Sequence, residues 1–167
     1  NTNAKAQRLA AGAASEAGDA LRDALRTIAR TAPPENALRI DLLTTRTELA
    51  VREIQAQEAP HIAEPDDAAM SEFERRMADS EAAARASLAE LAQAIAPASR
   101  EQASAALEAL ERFLQVHAEI LTLSRKNSDV RSVAILFGRK GRLTAECDDT
   151  LLALQDALAK REPRATR

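Results

Sequence analysis

The chain has 167 residues, is 46% hydrophobic and 29% charged, and carries a formal net charge of −3, values that fit a single globular domain. A slightly acidic chain with three Phe and neither Trp nor Tyr lacks the basic face and stacking rings of a nucleic-acid binder. Its single Cys147 excludes an intrachain disulfide, a CxxC redox pair and a multi-cysteine zinc site.

Four Gly, abundant Ala, Leu, Glu and Arg, and no alternating β-branched run give a helical preference throughout. The expected fold class is all-α: an up-down-up-down antiparallel four-helix bundle with a long, proline-bent first helix, spanning 1–167 as one domain. With so few aromatics, Ala and Leu must fill the core, so stability has to come from long continuous interfaces.

Helix one is expected over about 4–62. Pro33 and Pro34 interrupt it, yet the seven-residue rhythm of Leu21, Ile28, Leu42 and Leu49 persists across them, so the pair is read as a bend and not a reversal. The arm before residue 32 would overhang its neighbours. Helix two is expected over 66–96. Pro65 stops what precedes it, Asp66 or Asp67 caps it, and Met70, Phe73, Met77, Ala84, Leu88, Leu91 and Ile95 share one face. Pro97 ends it. Helix three, 99–125, opens on Ser99 with Gln102 three residues on, the form of a capping box. Leu107, Leu110, Leu114, His117, Leu121 and Ser124 then alternate steps of three and four.

The apolar positions next reappear two places out of phase, at Val130, Val133 and Phe137, which puts a turn at 125–129. Arg125 and Lys126 suit a helix C-terminus, and Ser128 or Asp129 an N-cap. Helix four, 129–163, keeps its period through Thr144, Leu151 and Leu158. It crosses Gly138 and Gly141, which cost about 2 kcal/mol relative to alanine and predict a local opening.

The segment VREIQAQEAPHIAEPDDAAM, Val51 to Met70, resembles the end of helix one and the start of helix two in the four-helix-bundle sensor domains of bacterial chemoreceptors. LSRKNSDVRSVAILFGRKGRLTAECDDTLLALQDALAKREPRATR, from Leu123 to Arg167, is similar to the stretch that enters the second transmembrane helix of such receptors. Sensor histidine kinases carry closely similar domains. The resemblance implies the periplasmic domain of an inner-membrane receptor, homodimeric through the first helix, binding a small molecule or a partner binding protein and passing on a helix shift. It also implies transmembrane helices outside this stretch, since no run here approaches the roughly 20 apolar residues of a span. A chain beginning at Asn1 without Met is accordingly expected to be a fragment. The family's arginines near the distal end of helix one point to Arg46 and Arg52.

Depth along the bundle suggests a site independently. With turns near 64 and 127 and about 1.5 Å of rise per residue, Arg52, His117, Arg139 and Lys140 fall at one level. Such a tier suits a small anion such as a carboxylate, with Thr45 and Thr144 adding hydroxyls. With Arg46 added because the resemblance implies it, the expected ligand set is Arg52, His117, Lys140, Arg46, Arg139, Thr45 and Thr144. The competing reading has the cations reaching solvent along their stems or pairing with Glu48, Glu53 or Glu119, and His117 as a neutral core histidine.

No metal or other cofactor is expected. Glu58 and His61 form an i, i+3 pair of the kind bundle metal sites use, but Pro60 disturbs that turn and no second pair exists. Cys147 sits on the seam of helix four with Leu143, Leu151 and Leu154 and is expected to be a buried small hydrophobe, not a nucleophile. With no phosphate loop or nucleophile elbow, enzymatic activity is not expected. The basic end Lys160, Arg161, Arg164 and Arg167 suits an ordinary helix terminus or lipid headgroups. An Ala-rich cytoplasmic helical scaffold or adaptor without a small-molecule ligand would show the same periodicity and charge.

Overall fold

The computed structural model describes residues 1–161, the side chains at 128, 129, 134, 139 and 161 excepted. The described residues are helical between short breaks: α1 (Thr2–Leu9), a π turn (Ala10–Ala14), α2 (Ser15–Arg30), α3 (Ala37–Ala63), α4 (Asp67–Ala94), a 3-10 turn (Pro97–Ser99) and α5 (Arg100–Lys126). After these come α6 (Ser128–Ile135), a second π turn (Leu136–Lys140) and α7 (Gly141–Arg161). The chain forms two compact units, Asn1–Ser128 and Asp129–Arg167.

The double proline reverses the chain; it is not a bend. Helix α2 ends at Arg30, where the Thr31 hydroxyl donates to the Thr27 carbonyl at 3.0 Å. Pro33 and Pro34 have no N–H to continue a ladder and push the residues before them out of the helical region. The Asn36 amide closes the turn on the Pro33 carbonyl at 2.9 Å, and its side chain donates to the Ala94 carbonyl at 3.3 Å. Antiparallel packing follows. The Asn3 amide donates to the Ile62 carbonyl at 2.9 Å, and Gly18 lies against Gln55. Leu21 and Ile28 are therefore core residues, 1% exposed, whereas Leu42 and Leu49 are 49% and 55% exposed. The shared seven-residue rhythm across the prolines was a coincidence of phase between two separate helices.

Four helical passes, α1–α2, α3, α4 and α5, thus build the first unit. The expected fourth helix is not among them: α6, the π turn and α7 belong to the second unit. In the first, Lys5 meets Glu119 at 2.8 Å and Thr31 meets Ser99 at 3.5 Å, so α1–α2 run antiparallel to α5. The Ser80 hydroxyl donates to Glu53 at 3.0 Å, fixing α3 against α4 in opposite senses. Arg85 bridges α4 to Glu111 on α5. Phe113, Leu21, Leu25, Ile28, Ile40, Ile54, Ile62, Met70, Met77, Leu91, Leu110 and Ile120 are the largest fully buried side chains. Between them, Ala6, Ala14, Ala84, Ala106 and Ala109 let the backbones approach.

Local signals succeed and fail for identifiable reasons. Asp66 caps α4, its Oδ1 accepting the Ala69 amide at 2.8 Å. The capping box at Ser99 does not form. Ser99 closes a 3-10 turn with φ −99° and ψ 8°, outside the extended conformation of an N-cap, and makes no cap hydrogen bond. The break after α5 narrows to one residue, Asn127, whose φ of 38° is the left-handed conformation that Asn tolerates at a helix end. In the second unit the opening predicted near Gly138 and Gly141 takes the form of the π turn Leu136–Lys140. Val133, Phe137, Thr144, Leu151 and Leu158 are all exposed there.

Candidate functional site

At one pole of the first unit, polar side chains from every helical pass meet inside an otherwise apolar core. On α3 the buried seam steps through Thr47, Val51, Ile54, Glu58 and His61, so the seam geometry that buries Ile54 also carries a carboxylate and an imidazole inward. Glu58 is 2% exposed and His117 of α5 4% exposed. Their Oε1 and Nδ1 atoms lie 2.9 Å apart. Phe113, one turn earlier, stacks on the His117 ring at 6.2 Å and 7°.

A second histidine lies one turn on. His61 is fully buried, its Nε2 3.0 Å from Glu74 Oε1 on α4. Arg125 of α5 grips the same carboxylate with two donors, at 2.6 and 2.7 Å, and also donates to Ser71 Oγ at 2.7 Å and to the Asp67 carbonyl at 3.1 Å. The guanidinium thereby holds the Glu74 carboxyl below the usual range, with His61 adding to the effect. Glu74 in turn raises the Arg125 pKa. Burial pushes His61 below its ordinary value, outweighing the pull of Glu74, and nearby Arg125 and His117 push the same way. His61 is therefore neutral at pH 7. Its Nδ1 is buried without a hydrogen-bond partner among the described residues.

The same pole ties the start of the bundle to its end. Asn3 Nδ2 donates to Asn127 Oδ1 at 2.8 Å as well as to the Ile62 carbonyl, and Asn127 Nδ2 donates to the Glu64 carbonyl at 2.6 Å. The Ser124 hydroxyl donates to the His61 carbonyl at 3.1 Å. These bonds link α1, the α3–α4 turn and the one-residue joint between α5 and α6.

Within the first unit, the members of the anticipated cationic tier do not come together. Of its members only His117 is buried in the first unit, and its partner is a carboxylate. Arg52, Arg46 and Thr45 are exposed on α3, with Arg52 4.0 Å from Glu48. Lys140 and Thr144 are exposed in the second unit, and the side chain of Arg139 lies outside the described residues. Within the first unit, α1–α2 run antiparallel to both α3 and α5. Glu58, His61, Glu74, Arg125, Asn3 and Asn127 take over as the polar centre. The first two stood out in the sequence as an i, i+3 pair; the others depended on the pairing of helices.

Among the described residues, no three His, Cys, Asp or Glu side chains stand where they could hold a metal ion. Cys147 is exposed. No described helix is long and apolar enough to cross a membrane. Compared with models of known protein families, with curated proteins and with solved structures, the chain matches none.

Proposed function

We propose that this chain is the extracytoplasmic sensor domain of a bacterial chemoreceptor or a related sensor kinase, an up-down bundle that converts binding of a small anionic molecule into displacement of its exit helix. The observation that supports this best is the polar knot at the pole where α1 begins and α5 ends. Asn3, Asn127 and the α3–α4 turn are hydrogen-bonded together there, and α5 passes through one residue into α6. A shift of α5 against its neighbours has no loop to absorb it. It must rearrange the Asn127 joint or carry α6 along, and packed elements switch between discrete arrangements more readily than they deform. The buried ion and histidine pairs supply such an arrangement, since they hold only while α3, α4 and α5 keep one register.

A homodimer through the first part of the chain agrees with the stripe Leu38, Leu42, Thr45 and Leu49, exposed on α3 at alternating steps of four and three. In this reading the domain sits in the periplasm, anchored by membrane helices outside the stretch, and has no catalytic role. The test fuses the domain with its native flanks to a cytoplasmic kinase-controlling module and follows swimming bias. A fusion that reaches the membrane yet never changes output, with or without added small acids, sinks the proposal.

A second reading, a helical scaffold or adaptor without a small-molecule ligand, draws on the exposed apolar positions of α6, the second π turn and α7, among them Val133, Phe137, Leu151 and Leu158. Polar flanks in the parent gene, in place of apolar runs of about 20 residues, would favour it.

A further inference from the structure

At the pole opposite the polar knot, α4 and α5 part beside the Pro97 turn and leave an open furrow of about 460 Å³, within the ~300–1,000 Å³ of small-molecule sites. Its cause lies in the side chains. Ala89, Ala92 and Ala103 are too short to close the gap, and the Arg85–Glu111 ion pair braces the two helices beside it. The floor is Leu88, which is buried, and Ile95, which is half-buried. Leu107 forms a wall and is 50% exposed. With half its surface in water, Leu107 gains from any apolar body laid against it.

The furrow's two cations are not equivalent. Arg85 is already held by Glu81 at 3.1 Å and by both oxygens of Glu111. Arg100, the first residue of α5, is exposed at the edge and has no carboxylate partner among the described residues. Ser104, one turn on, adds a hydroxyl on the same side. One unengaged guanidinium beside an apolar trough matches a monoanion with a hydrocarbon or aromatic body. Its planar fork fits a carboxylate in two hydrogen bonds, whereas a dianionic phosphate would call for more positive charge than one arginine supplies.

We propose that this furrow binds a small apolar carboxylic acid as its anion, with the body on Leu88, Ile95 and Leu107 and the carboxylate on Arg100. The inference names the ligand class of the sensor reading and rests on that reading for its biological use, while binding itself is a property of the isolated chain.

Calorimetric titration of the purified chain with octanoate, 1-octanol and inorganic phosphate tests it. Octanoate should bind about tenfold more tightly than octanol, the scale of one charge-assisted contact at a solvated site, and phosphate should show no saturable binding. Arg100→Gln should bring octanoate to the level of octanol, and Leu107→Asp should abolish both. Both positions are exposed, so unchanged circular dichroism should accompany each variant. Absence of octanoate binding, octanoate affinity unchanged in Arg100→Gln, or phosphate binding as tight as octanoate would each overturn the site. A silent membrane fusion with intact octanoate binding rejects the sensor reading and leaves the furrow standing. A responsive fusion whose chain ignores octanoate rejects the furrow alone.

Discussion

Replacing His117 with leucine is expected to cost far more than its size suggests, because it strands Glu58. That carboxylate is 2% exposed and lies 2.9 Å from His117 Nδ1. Removing one member of a buried pair typically costs about 3–5 kcal/mol. The reverse change, Glu58→Leu, leaves the buried His117 Nδ1 without its partner, worth about 1–3 kcal/mol. Making both changes replaces two polar groups with apolar ones in a site already walled by Phe113, Ile54 and Ile120. The double variant should therefore lie within about 1 kcal/mol of the parent. Urea unfolding followed at 222 nm, with the slope held common across the four proteins, gives the cycle. A coupling of at least about 3 kcal/mol in favour of the double variant is expected. Additive losses would show that the two groups do not depend on one another, and the account of the polar pole would be wrong.

Two further outcomes follow from the same pole. Because His61 titrates below 6.5 when folded, the unfolded chain takes up a proton first as pH falls. Stability should be full above about pH 6.5, fall below it, and level off under the folded-state pKa, with the Glu74 contribution fading later, below 4.5. Urea midpoints from pH 7.5 to 5.5 should show this decline in the parent and lose most of it in His61→Gln, and an equal decline in both proteins would refute the assignment. At Asn127, Gly preserves the φ of 38° while Ala does not. Asn127→Ala should thus destabilise more than Asn127→Gly by about 1 kcal/mol. Both should lose the ties to Asn3 and Glu64, seen as faster amide exchange at the start of α1; matched exchange to the parent would dissolve the knot.

Much of the secondary structure was legible in the residues themselves. Helix propensity and the absence of strand patterns gave an all-helical chain. Pro65 with Asp66 fixed the α3–α4 turn, and the phase slip after Ser124 located the break that narrows to Asn127. These are short-range effects, settled by φ restriction, a side chain bonding its own backbone, or a periodicity within one helix. What a segment does relative to a distant one is different. Whether Pro33 and Pro34 bend or reverse the chain depends on where α2 finds its partner, and the answer came from Asn3 meeting Ile62 and Gly18 meeting Gln55. A heptad phase measures only angle around one axis, so Leu42 and Leu49 could match Leu21 and Ile28 in rhythm while facing solvent. Once the reversal placed α1–α2 against α3 and α5, the polar centre of the first unit fell on Glu58, His61, His117, Glu74 and Arg125, and Arg52 stayed exposed. The sequence alone determined which residues are helical; the tertiary structure decided which faces are buried, leaving Leu42, Leu49 and Leu107 half in water, because burial rewards any apolar partner alike and only simultaneous packing of all four passes selects one.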